Sequence, residues 1–154
     1  ADTFGLGNHT TTVLALRLGL AHCERTARGF DFGCGSGVLA IAVTKILQCE
    51  SYVFDIAHNA KEVVRINDEL NDVHTTWRSD VRDLNARLVF ANILAPVLTA
   101  ESATIKGSIV QSGLIVLSGM REEQIENVLL SYTDCVELDR EIIDGWVAVI
   151  LRKL

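Results

Sequence analysis

Apolar and polar positions along this chain follow two alternating rhythms. Residues 10–22 (Thr-Thr-Thr-Val-Leu-Ala-Leu-Arg-Leu-Gly-Leu-Ala-His) read as a helix with threonine near its start. Arg28 to Phe32 is a short strand running into Gly33-Cys34-Gly35-Ser36-Gly37. Val38 to Leu47 is helical, and Val38, Leu39, Ile41, Ala42, Ile46 and Leu47 nearly wrap it in apolar surface. A helix apolar on most sides packs against a sheet and its neighbours. Ser51 to Phe54 is a second strand, ending at Asp55. A helix over about 58–70 follows, with Val63, Val64, Ile66 and Leu70 expected on the inner side.

The alternation continues to the end of the chain. His74 to Arg78 predicts a strand, and Arg87 to Ala91 a buried strand that stops at Asn92. A helix over about 95–105 leads to the strand Leu114–Ser118, and a helix over about 121–131 follows. Val136–Ile143 and Trp146–Arg152 are β-like runs joined through Asp144-Gly145, the signature of an antiparallel hairpin. Strands alternating with helices predict a doubly wound α/β fold around an open, mostly parallel sheet. In such sheets ligands sit outside the carboxyl ends of the strands, near the point where strand order reverses. The loops after the first four strands are therefore where function should lie.

Composition narrows the class. The 154 residues suit one domain on a prior of roughly 100–200 residues each. We divide the chain into a lead-in loop and helix at 1–24 and a sheet core at 25–154. With 49% hydrophobic and 22% charged residues, the balance is that of a globular protein and excludes disorder and coiled coil. The apolar runs fall short of the roughly 18 residues of a membrane span. The first residues lack the basic-then-apolar order of a signal peptide. A net charge of -6 argues against a general grip on nucleic-acid phosphates. The cysteines at 23, 34, 49 and 135 form no Cys-x-x-Cys and no metal-ligand spacing, and read as reduced thiols of a cytoplasmic protein.

The glycine loop carries the first chemistry. Glycine there lets the backbone turn tightly and approach a ligand, and a helix N-terminus with unpaired N–H groups follows. The dinucleotide fingerprint asks for Gly or Ala at the sixth position of Gly-x-Gly-x-x-Gly, but Val38 stands there. The pattern is instead Gly33-x-Gly35-x-Gly37 preceded by Asp31, which resembles the first motif of S-adenosylmethionine-dependent methyltransferases. The cationic amino-acid tail of that cofactor suits an acidic neighbour. Asp55, 20 residues beyond Gly35, can accept both hydroxyl hydrogens of a ribose or cap the next helix. Asp80 is a candidate for the adenine amino group, against the alternative of a solvated loop acid near Asp83. Asn92 ends the fourth strand of the pattern, where its side-chain oxygen can take an amine hydrogen and orient the nitrogen lone pair.

Asn92-Ile93-Leu94-Ala95-Pro96, together with Asp31-Phe32-Gly33-Cys34-Gly35-Ser36-Gly37-Val38-Leu39-Ala40-Ile41-Ala42, resembles the PrmA methyltransferases. The leading segment Phe4-Gly5-Leu6-Gly7-Asn8-His9-Thr10-Thr11-Thr12, the run Leu117-Ser118-Gly119, and the ending Trp146-Val147-Ala148 are similar as well. The resemblance implies the class I Rossmann-like methyltransferase fold. It also implies methyl transfer from S-adenosylmethionine, leaving S-adenosylhomocysteine, to amines of a large-subunit ribosomal protein. Carried over residue by residue, it implies cofactor contacts at Thr12, Gly33, Asp55 and Asn92. Phe4, Gly5, Gly7 and His9 would form the loop closing over cofactor and acceptor. Four positions depart from the pattern. Ala57 and His58 stand where the family has a second aspartate and a proline, Leu6 replaces a threonine, and Thr10 a proline. The family's additional N-terminal domain, which captures the protein substrate, has no counterpart in these residues.

Other classes remain open at this level: a non-catalytic cofactor-binding or scaffold domain, an NAD-dependent oxidoreductase, or a methyltransferase acting on RNA or a small amine. Cys34 is read as a small loop residue, not a nucleophile. His22, His58 and His74 make no metal spacing, and Trp77 is read as packing.

Overall fold

The computed structural model describes residues 9–24 and 28–154. In chain order it runs α1 (Thr10–His22), β1 (Gly29–Phe32), α2 (Val38–Leu47), β2 (Ser51–Phe54), α3 (Ala60–Asn71), β3 (Thr76–Trp77) and β4 (Ala86–Asn92). It continues with α4 (Ala95–Ala100), α5 (Ser102–Gly107), β5 (Ile109–Arg121), α6 (Ile125–Leu129), β6 (Cys135–Ile143) and β7 (Trp146–Lys153). The seven strands form one sheet in the order β3-β2-β1-β4-β5-β7-β6. β3, β2, β1, β4 and β5 run parallel to one another, while β7 runs antiparallel to both β5 and β6. The expected α/β class and the terminal hairpin are both present.

Period-two alternation buries both faces of the central strands. Phe30, Val89, Ala91, Ile115 and Leu117 pack with Leu98 of α4, Ile105 of α5 and Ile125 of α6. Leu88, Phe90, Leu114 and Val116 pack on the other face with Leu14 and Leu18 of α1 and Leu39 and Val43 of α2. A parallel sheet covered on both sides needs such near-continuous apolar strands. α1 approaches so closely that a Cβ on Gly19 would stand 2.6 Å from the Phe90 ring.

Some expected elements change shape. Ile46 is 52% exposed, so the apolar wrap of α2 is narrower than its composition suggested. On α3 the inward stripe is Ala60, Val64 and Asp68, while Ile66 and Leu70 face solvent. Asp68 is held inside because the backbone N–H and hydroxyl of Thr75 both donate to its carboxylate. The helix expected over 95–105 is interrupted at Glu101, whose backbone (φ -98°, ψ 11°) ends α4 and starts α5. The helix expected over 121–131 is shortened to α6 with a 3-10 turn on either side. β5 is longer than its apolar run at both ends, because Ile109 pairs with Ala86 and Arg121 pairs with Trp146.

Candidate active site at the switch point

β1 lies between β2 and β4, so successive crossovers leave it in opposite directions and open a crevice at the strand carboxyl ends. The glycine loop rises into that crevice. The backbone N–H groups of Gly33 and Cys34 donate to the Phe54 carbonyl at 2.8 and 3.0 Å, tying the loop to β2. Gly33 has φ +74°, and a Cβ there would meet Ile93 Cγ2 at 2.6 Å. The side chain of Asn67 on α3 donates to the Ser36 carbonyl at 2.9 Å and braces the loop from behind.

Asp55 joins this loop directly. The Gly35 N–H donates to its Oδ2 at 2.8 Å and the Ala57 N–H to its Oδ1 at 2.9 Å. Each carboxylate oxygen keeps a further lone pair for a ligand. The loop, β2 and β4 thus bring Gly33, Gly35, Asp55 and Ile93 together, although 60 residues of chain separate the first from the last.

Two buried polar atoms have no hydrogen-bond partner among the described residues: Asp31 Oδ2 and Asn92 Oδ1. A buried acceptor without a partner is costly, on the order of 1–3 kcal/mol, and native proteins keep such groups where a ligand completes them. Asp31 is 2% exposed. Burial pushes its carboxyl up to about 7; the Ala40 backbone N–H opposes that rise and the Asp55 charge adds to it. Burial likewise pushes the Cys34 thiol well above its ordinary range, which keeps it protonated and unreactive.

Asn92 is held through its amide nitrogen, which donates to Thr12 Oγ1 at 3.3 Å. Thr12 is buried on the first turn of α1. That turn is pinned to β5 where the Ser118 hydroxyl donates to the Thr11 carbonyl at 3.0 Å. Its start is capped by His9, whose Nδ1 accepts from the Thr11 N–H. The backbone after Asn92 is fixed by a bond from the Ile93 N–H to the Ser118 carbonyl at 3.1 Å. Gly119 permits this approach: its φ is +90°, and a Cβ would stand 2.5 Å from the Ile93 carbonyl oxygen.

These groups open onto a cavity of about 710 Å³, within the range of small-molecule sites. Asp31, Gly33, Gly35, Asp55 and Asn92 line it. Its ionisable lining consists of the carboxyl groups of Asp31, Asp55 and Glu101 and the Cys34 thiol, with no Lys, Arg or His among the described lining residues. Thr12 stands behind Asn92, outside the lining. Asp80 stands apart as well. It is exposed, it is held by the Arg82 guanidinium and N–H, and those bonds lower its carboxyl to about 2. Ser79 and Val81 line the cavity instead. The candidates Phe4 and Gly5 lie outside the described residues. Ile56, Val97, Glu101 and Thr104 also line the cavity and were not singled out by sequence reasoning. The helix periodicity of 97, 101 and 104 is the signal that could have found the last three.

The sheet order and the glycine loop at its switch point define a Rossmann-like domain of the class I methyltransferase type. The chain belongs to the family described as ribosomal protein L11 methyltransferase (PrmA), whose model matches residues 3–154. A ribosomal protein L11 methyltransferase from Ralstonia nicotianae is 36% identical over 149 residues, covering 95% of this chain and 50% of that relative. The chain therefore spans about half the length of the curated relatives it matches. Among solved structures, a ribosomal protein L11 methylase from Lactobacillus delbrueckii subsp. bulgaricus superposes with a TM-score of 0.88 at 24% identity, over 96% of this chain and 81% of that one. An RNA methyltransferase from Salinibacter ruber, solved in complex with S-adenosyl-L-homocysteine, superposes with a TM-score of 0.71 at 14% identity, over 94% of this chain and 92% of that one.

Proposed function

We propose that this chain holds S-adenosylmethionine and transfers its methyl group to amine nitrogens of a protein, with ribosomal protein L11 as the acceptor. The observation that carries this reading is the pair of unpartnered buried acceptors, Asp31 Oδ2 and Asn92 Oδ1, on one anionic cavity. When bound, the cofactor supplies an electrophilic methyl group on a positively charged sulfur. Three carboxyl groups and no cationic side chain among the described lining residues suit such a cation and oppose the pyrophosphate of NAD.

In this reading Asp31 receives the ammonium of the methionine tail. The Asp55 carboxylate accepts the ribose hydroxyls with the lone pairs that Gly35 and Ala57 leave free. Gly33 and Gly35 keep the loop bare so that the ligand can lie against it. Asn92 Oδ1 accepts one N–H of the acceptor amine and turns the nitrogen lone pair toward the methyl carbon. When bound, S-adenosylmethionine would supply its methyl group to that nitrogen, the C–S bond breaking as the C–N bond forms, and the methylated ammonium would lose its proton to solvent. The chain contributes mainly by positioning, which can supply several kcal/mol of barrier lowering, on the order of 7–11 at best. Thr12 serves by holding the Asn92 amide.

The resemblance also bears on Phe4 and Gly5, which we assign to the cofactor's cover. Free thiols at Cys23, Cys34, Cys49 and Cys135 suit a reducing cytoplasm. No described helix is long and apolar enough to cross a membrane.

Calorimetry with S-adenosylhomocysteine tests the site. The expected result is binding that Asp55→Ala weakens at least tenfold. Absence of binding, or unchanged affinity in Asp55→Ala, overturns it. Mass spectrometry of ribosomal protein L11 incubated with the chain and S-adenosylmethionine tests the acceptor.

A further inference from the structure

Strand order assigns directions within the cavity. Along the carboxyl edge of the sheet stand Asn92 (β4), then Asp31 and Gly33 (β1), then Asp55 (β2), and last the segment after β3 that contributes Ser79 and Val81. A ligand with its cationic tail at Asp31 and its ribose at Asp55 therefore extends its base toward β3. The lining next to Asp55 and after β3 includes the apolar Ile56 and Val81. Ile56 is 90% exposed, so a flat base laid on it would remove apolar surface from water.

α4, α5 and the residue between them complete the lining through Val97, Glu101 and Thr104. Val81 of the segment after β3, Leu98 of α4 and Ile105 of α5 belong to the same core cluster. The hydrogen bonds Glu101 N–H to Val97 carbonyl at 2.8 Å and Ile105 N–H to Glu101 carbonyl at 2.9 Å carry the helical repeat through the interruption at Glu101. Val97, Glu101 and Thr104 thus fall on one face, and all three line the cavity. Glu101 is half-buried, and its side chain makes no hydrogen bond or ion pair among the described residues. Asp80, by contrast, has both carboxylate oxygens on Arg82.

Resting on the cofactor reading above, we infer that Glu101 is the residue that selects adenine, its carboxylate accepting the exocyclic amino group of the base. A carboxylate accepts and does not donate, so it favours a 6-amino purine and rejects a 6-oxo purine, whose oxygen it repels. Asp80 has no part in that choice.

The test compares S-adenosylhomocysteine with S-inosylhomocysteine, in which a 6-oxo group and an N1–H replace the 6-amino group and the bare N1, by calorimetry on this chain. Wild type should prefer the adenosyl compound by about tenfold to a hundredfold, the size of a hydrogen bond to a charged group. In Glu101→Gln the new amide can donate to the 6-oxo group, so the preference should fall about tenfold or more. Asp80→Asn should keep it. Thermal unfolding of each variant checks that it is folded. Equal binding of the two compounds by wild type, an undiminished preference in Glu101→Gln, or a preference lost in Asp80→Asn each overturns the assignment of Glu101. If wild type binds neither compound, the cofactor reading itself fails, and this inference with it.

Discussion

The amide of Asn92 donates to the hydroxyl of Thr12 across 80 residues of sequence, and Asn92 Oδ1 is left as a buried acceptor without a partner among the described residues. The bond fixes which end of the amide is free. A helix that precedes the whole glycine loop in the chain thereby sets the orientation of a group at the end of β4.

This relationship separates binding from transfer. Asn92→Ala should lower methyl transfer about a hundredfold, in the range for removing one oriented polar group from a reacting centre. Affinity for S-adenosylhomocysteine should change only a few-fold. Thr12→Val keeps the side-chain shape and removes the acceptor, so the amide loses its anchor. Transfer should drop about tenfold. Single-turnover rates set beside calorimetric dissociation constants check both, and an Asn92→Ala variant that loses affinity and rate in equal measure would contradict the assignment.

Gly33 should tolerate no side chain. Its φ of +74° is left-handed, and a Cβ would stand 2.6 Å from Ile93 Cγ2. Strain and contact together should cost Gly33→Ala about 1–3 kcal/mol, visible as a lower urea midpoint. Cofactor affinity should fall as well, because the loop and Ile93 must part.

Gly119→Ala is expected to act on Asn92 from the opposite side. The new Cβ would press on the Ile93 carbonyl oxygen at 2.5 Å, and the φ of +90° is unfavourable for alanine. The variant should lose about 1–3 kcal/mol of stability. Ile93 follows Asn92, so transfer should also fall more than cofactor binding. Chemical denaturation and paired rate and affinity measurements check this.

Asp31 makes stability depend on pH. Its carboxyl is raised from an ordinary value of 3.8 to about 7 by burial. Between those values the folded chain retains a proton that the unfolded chain has lost, so stability falls as pH rises through that window and levels off above it. The loss should reach roughly 4 kcal/mol. Asp31→Asn should flatten the slope, measured as urea midpoints from pH 4.5 to 7.5. A cationic tail docked on Asp31 favours the ionised form. Cofactor binding near pH 6.5 should therefore release a proton, read from heats of binding in buffers of different ionisation enthalpy, and Asp31→Asn should release less.

The elements of the first half were legible because each is a local pattern. α1, α2 and β2 stand where periodicity and the glycine punctuation place them. The Asp144-Gly145 turn joins β6 and β7 as its composition foretold. The inner face of α3 was not legible. Ile66 and Leu70 looked like core, but Asn67 is held by the glycine loop at Ser36 and Asp68 by Thr75, just before β3. Apolar character identifies candidates for burial, yet a buried polar residue depends on an acceptor or donor that lies elsewhere in the chain. The length of β5 escaped for a similar reason. Ile109 and Arg121 extend it through pairing with Ala86 and Trp146, and pairing is not written in a strand's own residues.

The site divides in the same way. The sequence by itself determined the glycine loop, the acid at the end of β2 and the asparagine at the end of β4, because each needs a particular residue at a particular strand end. Only the tertiary structure decided that Thr12 holds Asn92, that Asp80 is engaged by Arg82, and that Glu101 reaches the cavity. These are relations between distant segments, created when the sheet orders its strands and the helices close on its two faces. Hydrogen bonding and burial act over a few ångströms of space, whatever the separation along the chain.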